Sequence, residues 1–110
     1  MTKSGQVDYG KMTIGQKIRD LRESAGMLQR ELAGHLQVGD SYISKVESDQ
    51  KVLKKEHLKT LSDLFDCPYS ELLTLWLADK VYDLVKNENP AQAIEVLKVA
   101  EQEIKYGKRI

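Results

Sequence analysis

Little in this 110-residue chain points to covalent chemistry. A single cysteine, Cys67, can build neither an internal disulfide nor a zinc site. In "LFDCPY" it stands where a small apolar residue fits, so it is expected to be a buried thiol. His35 and His57 lack the spacing of metal ligands. No nucleophile has a credible base, and no glycine-rich loop could cradle a phosphate, so no enzyme activity, metal or cofactor is expected. Net charge is also absent, with 17 basic and 17 acidic residues. A nucleic-acid binder built this way has to work through a local basic patch, with modest affinity per copy. No apolar run approaches the ~18 residues of a membrane span. The polar start "MTKSGQVDYGK" is unlike a signal peptide, so a cytoplasmic setting without membrane attachment is the expectation. Internal repeats and low-complexity blocks are missing too. What is present is a globular composition, 41% hydrophobic and 31% charged.

The apolar residues recur at helical spacing almost throughout. Residues 1–12 show no periodicity and are read as a flexible arm. Thr13, with Gln16 three residues on, is a capping-box signature for a first helix. Ile14, Ile18, Leu21 and Ala25 face inward on it, and Gly26 ends it. A second helix is expected from Leu28 or Gln29 to Leu36. A third, over about 40–48, starts behind Gly39 and buries Ile43 and Val46. "SDQKVLKK" reads as a polar connection to a fourth helix from about Lys55 to Phe65. Ser70 is the expected cap of a longer helix with a broad apolar face. Asn89 and Pro90 open the last helix, to about Tyr106. No segment sustains a strand's alternation, so the fold class is all-α.

The second and third helices pose the functional question. Two-turn helices are marginal alone because nucleation costs more than so few hydrogen bonds return. Joined by a tight turn and braced by a neighbour, they make a helix-turn-helix whose second member suits a major groove about 12 Å wide.

The residues also carry a family resemblance. "IGQKIRDLRESAGMLQRELAGHLQVGDSYISKVE" followed by "LKTLSDLFDCPYSELL" resembles the Cro/C1-type (XRE-like) helix-turn-helix regulators over about residues 13–74. The resemblance implies a lambda-repressor-like bundle of four to five helices over 13–69 and double-stranded DNA as partner. It places Asp40, Ser41 and Lys45 at positions facing base edges. Gln29, Tyr42, Ser44, Lys51, Lys54 and Lys55 fall at positions near the DNA backbone, Gln29 also bracing the recognition helix. Arg22 and Glu47 match a partly buried ion pair. The chain departs from the pattern at Leu28, which removes a helix cap, and at Gln37, where a glycine is common and a left-handed backbone is expected. Gly39 replaces a Ser or Thr cap and Asp49 a glycine. Asp40 brings a negative charge to a reading position; it can accept from a cytosine amino group or simply favour the helix start.

Residues 70–110 exceed what such a core needs and are read as a C-terminal helical extension that builds a homodimer. Trp76, Leu77, Val81, Leu84, Ile94 and Leu97 are the candidate seam. The acids Glu71, Asp79, Asp83 and Glu88 outnumber Lys80 and Lys86 there, which makes it a poor DNA surface. Pairing would turn two weak half-site contacts into one strong site about 34 Å across. The extension also looks like that of small restriction–modification controllers. The rival reading is an antitoxin or protein-interaction module with weak or lost DNA binding, favoured by the neutral charge, Asp40 and the missing caps. No small-molecule effector site is evident.

Overall fold

A computed structural model describes residues 12–107. The arm read over 1–12 therefore lies, Met12 apart, outside the described residues. Six helices follow one another: α1 (Ile14–Ser24), α2 (Gln29–Leu36), α3 (Asp40–Glu47), α4 (His57–Phe65), α5 (Tyr69–Val85) and α6 (Pro90–Tyr106). No strand occurs among the described residues, as the periodicity requires. Contacts group the chain into two units, one ending at Asp79 and one beginning at Lys80, with α5 running through the division.

Helix α1 begins and ends as its sequence dictates. Thr13 Oγ1 accepts from the Gln16 N–H at 3.1 Å, and Gln16 Oε1 accepts from the Thr13 N–H at 3.2 Å, which completes the capping box. A third start is long-range: the Ile14 N–H donates to Asp79 Oδ2 at 3.0 Å. At the other end Gly26, at φ 68°, lets its own N–H reach Glu23 O and the Met27 N–H reach Arg22 O, both at 3.0 Å.

Helices α2 and α3 close in the same manner without a glycine. Gln37 sits at φ 58°, with the Val38 N–H on Ala33 O at 3.0 Å. Asp49 sits at φ 64°, with the Gln50 N–H on Lys45 O at 2.8 Å. A left-handed backbone costs a residue with a Cβ roughly 1–2 kcal/mol. Asp49 offsets this, since its Oδ1 accepts from Thr13 Oγ1 at 2.8 Å and ties the end of α3 to the start of α1. Gln37 is exposed and its side chain makes no hydrogen bond among the described residues. Gln37→Gly is therefore expected to raise stability by about 0.5–1 kcal/mol, after allowance for the extra freedom glycine gives the unfolded chain. Urea unfolding followed by circular dichroism checks this; an unchanged or lower midpoint would show that the turn is unstrained.

The core of the first unit gathers Ile14 and Ile18 from α1, Leu32, Ala33 and Leu36 from α2, and Ile43 and Val46 from α3. Leu58 and Leu61 from α4, Leu72 and Leu75 from α5, and Leu53 and Cys67 between helices join it. Two corrections to the sequence reading arise here. "SDQKVLKK" is not simply polar, because Leu53 is 1% exposed and is a full core member. Burying it is worth about 1.5–3 kcal/mol, so the segment after α3 is pinned from within. Its carbonyl is held as well, by the Trp76 indole N–H at 2.7 Å. Second, Ser70 does not cap α5. The helix starts one residue earlier at Tyr69, with Pro68 O accepting from the Glu71 N–H at 3.1 Å.

Cys67 is buried, as expected. Burial pushes its thiol up to about 11, helped by the Glu71 carboxylate, whose Oε2 lies 3.1 Å from Sγ and is itself paired with Lys17 at 3.5 Å. At pH 8 the folded protein should react with a disulfide reagent roughly 100-fold more slowly than the urea-unfolded chain, because the thiolate is the nucleophile. Rates within tenfold of each other would contradict this environment.

In the second unit α6 opens as "NP" predicts, with Asn89 Oδ1 accepting from the Gln92 N–H at 2.8 Å and Pro90 at the first position. None of its residues is buried. No helix among the described residues is long and apolar enough to cross a membrane.

Candidate nucleic-acid interface

Helix α3 is divided lengthwise. Ile43, Val46 and Glu47 are buried and Tyr42 is half-buried, whereas Asp40, Ser41, Ser44 and Lys45 are exposed. At 100° per residue those four outward positions form one continuous arc of roughly 140°. The readers named by the sequence thus come together, and Ser44, assigned to the DNA backbone, falls between them. None of the four side chains makes a hydrogen bond or ion pair among the described residues. Gly39 precedes α3 with no side chain to accept from its first amides, and the Asp40 carboxylate stands in the first turn, where the helix dipole favours it.

The inner arc is held rigidly. Arg22 Nε donates to Glu47 Oε2 at 2.7 Å and Nη2 to Oε1 at 3.0 Å, a two-pronged pair with both residues buried. Arg22 Nη1 also donates to Met27 O at 2.8 Å, across the turn into α2. Gln29 Nε2 donates to Glu47 Oε1 at 3.0 Å, which is the brace expected of it. The hydrogen bond that Glu47 accepts, and then its charge, hold the Arg22 guanidinium pKa above its usual value against the opposing effect of burial. One carboxylate therefore locks α1, the front of α2 and the end of α3 together. Leu28 supplies no cap, as foreseen, but its N–H donates to Glu31 Oε1 at 2.7 Å, so half of the capping arrangement survives.

The segment after α3 is fixed at several points. Ser48 Oγ donates to Ser44 O at 2.9 Å, and the Lys54 N–H donates to the Tyr42 hydroxyl oxygen at 3.0 Å. The Tyr42 ring meets His57 edge-on at 5.8 Å, and Lys51 Nζ lies 5.6 Å from its centre. Tyr42 thus has an internal task beside the backbone role the resemblance gives it. Lys51, Lys54 and Lys55 are exposed along this braced segment. The Lys51 N–H donates to Lys45 O at 3.2 Å, which joins the start of this segment to the end of α3. Sequence reasoning missed Leu53 and the long-range partners of Asp49, Trp76 and Asp79; no local spacing signals a contact across 23 to 65 positions. Among the described residues no group of His, Cys, Asp and Glu could hold a metal ion.

Comparisons with known proteins identify the family. Residues 15–76 match the family described as "Helix-turn-helix domain", and the chain belongs to that family, as an XRE-like member. Its fold is the all-α, lambda-repressor-like one. A curated relative, the HTH-type transcriptional regulator ImmR of Bacillus subtilis (strain 168), is 31% identical over 62 residues, 56% of this chain and 49% of that protein. The chain thus spans about half the length of the curated relative it matches. No solved structure matches it.

Proposed function

We propose that the chain is a sequence-specific transcriptional regulator that lays α3 in the major groove of double-stranded DNA. The observation that carries this is the outward arc of α3, polar and without internal partners, on a helix whose inner side is locked by Arg22, Glu47 and Gln29. Lys45 donates to guanine O6 and N7, Asp40 accepts from a cytosine amino group and Ser41 serves either donor or acceptor. Gln29, Tyr42, Ser44, Lys51, Lys54 and Lys55 follow the phosphates. The DNA contacts come from residues 13–69, and residues 70–110 pair two copies on a two-fold operator. The family match and the likeness to a transcriptional regulator support the reading.

Lys45→Ala is expected to lower the ratio of specific to non-specific affinity by about tenfold or more, equivalent to 1–3 kcal/mol. Lys54→Ala should weaken binding on all sequences alike and flatten the salt dependence by about one counterion. Gel-shift titrations at several salt concentrations, on a duplex selected from a random pool, separate the two. Equal losses from Lys45→Ala on selected and random DNA would sink the assigned readers. The position of the selected site in the genome then tells whether a restriction–modification operon is controlled. Failure to select any duplex at low salt, with a co-purifying protein, would favour the interaction-module alternative, which the uncovered face of α6 also suits.

A further inference from the structure

Between α3 and α4 one peptide group is held from two sides. Its carbonyl, that of Leu53, accepts from the Trp76 indole N–H at 2.7 Å, and its N–H, that of Lys54, donates to the Tyr42 hydroxyl oxygen at 3.0 Å. Carbonyl and N–H belong to one planar trans unit, so they point in opposite directions. Trp76 on α5 and Tyr42 on α3 therefore clamp it between them. Residues 52–54 lie in no helix, so no regular hydrogen-bond ladder sets their orientation. On one flank of the clamped group the Leu53 side chain is buried, and on the other Lys54 stands exposed. The Lys54 carbonyl accepts in turn from the His57 N–H at 3.0 Å, where α4 opens. Both backbone polar groups of this lysine are thus engaged, and its side chain leaves the backbone in a fixed direction.

We propose that Trp76 is a positioning residue for DNA binding, which acts through the Leu53 carbonyl to aim Lys54 and Tyr42 at the duplex backbone. This rests on the groove-reading proposal above and deepens it. A lysine on a loose loop gives up backbone freedom when it meets a phosphate, whereas a clamped one has already given it up on folding. The bonds also reinforce one another. An indole that donates to a carbonyl polarises the peptide and strengthens its N–H as a donor, by about 10–30% per bond. The Tyr42 hydroxyl oxygen, which accepts that N–H, has its own proton left to donate, and an anionic phosphate oxygen is the strongest acceptor a duplex offers. Trp suits the post because its ring packs on the core while its one polar atom is a donor. Trp76, read from the sequence as part of the seam, is in this role a support for the DNA-contacting loop.

Trp76→Phe keeps an aromatic ring and removes the N–H, and Leu75→Val, a core trimming one position away, controls for lost stability. In the full chain without DNA, Trp76→Phe should speed amide hydrogen exchange at Lys54 roughly tenfold more than at Ile43. Leu75→Val should speed the two alike. With DNA, Trp76→Phe should weaken binding to selected and random duplexes by the same factor and flatten the salt dependence. One phosphate contact is worth about eightfold in affinity at about 0.1 M salt, so Lys54→Ala should lose about that much in the parent chain. In the Trp76→Phe background the same change should lose less than about threefold, because the two residues act as one unit. Leu75→Val should leave the Lys54→Ala loss at its parental value. The unaltered chain supplies a further measurement: the Trp76 indole N–H resonance should shift on titration with duplex, and Lys54→Ala should cut that shift by roughly half or more. Equal Lys54→Ala losses in the parent and Trp76→Phe backgrounds, or an indole resonance that ignores the duplex, would overturn the inference and leave groove reading intact. A chain that binds no duplex even at low salt would defeat groove reading itself, and the positioning role with it.

Discussion

Glu47→Ala is expected to lower the stability of the first unit by about 3–5 kcal/mol, the usual cost of leaving a buried charge without its partner. Arg22 would keep its charge, because the remaining environment cannot deprotonate a guanidinium, and would lose both prongs of the pair at 2.7 and 3.0 Å. The Gln29 amide would lose its acceptor as well. Against a total of about 5–15 kcal/mol for a typical domain, this is a third or more of the margin. Because the cost comes from an orphaned charge more than from a lost attraction, Arg22→Met combined with Glu47→Leu should recover most of it. Urea unfolding of Arg22→Met, Glu47→Leu and the double variant forms the cycle, with Glu47→Ala measured beside it. A loss under 1 kcal/mol for Glu47→Ala would show that water reaches the pair and that it is not the lock described here.

Gly15→Ala is expected to cost about 3 kcal/mol, at the upper end of what overpacking usually causes. In an ordinary helix interior the change would gain about 1 kcal/mol. Here α1 lies directly on α3, and a Cβ at residue 15 would overlap the Val46 carbonyl oxygen and stand 2.7 Å from Asp49 Oδ1. The obstacle is backbone, so the two helices would have to part. Gly34 on α2 has nothing within 4 Å of its added Cβ and serves as the control, with Gly34→Ala expected to stabilise by about 1 kcal/mol. Thermal melts of both variants should therefore move in opposite directions. Two upward shifts would mean that α1 and α3 are not in close contact.

The fold was legible wherever its cause is local. Thr13 with Gln16, Gly26, and Asn89 with Pro90 announce helix ends through hydrogen bonds made within a few residues, and the helical spacing of Ile, Leu and Val announces the rest. The left-handed Gln37 was legible because a helix that ends this tightly leaves its next residue little choice. Leu53 was not, since a leucine among lysines looks like surface until the folded core takes it in. The same holds for Asp79, read as one acid in an acidic stretch although its carboxylate serves the first amide of α1. At the site, the outward arc of α3 follows from periodicity alone and the brace of Gln29 from the family resemblance, whereas the internal task of Tyr42 depends on partners that only the folded chain brings near.

The brevity of α3 sets a limit on what one copy can distinguish. Tyr42 is turned toward the loop and Glu47 toward Arg22, so four side chains remain on the outer arc, and in the proposed reading three of them, Asp40, Ser41 and Lys45, meet bases. Three such readers specify at best about three base pairs, roughly one pattern in 64, while a genome offers on the order of a million or more competing positions. One protomer would then meet many look-alikes, and a second set of readers on the opposite half of the same site would thin them by a further factor of roughly 64.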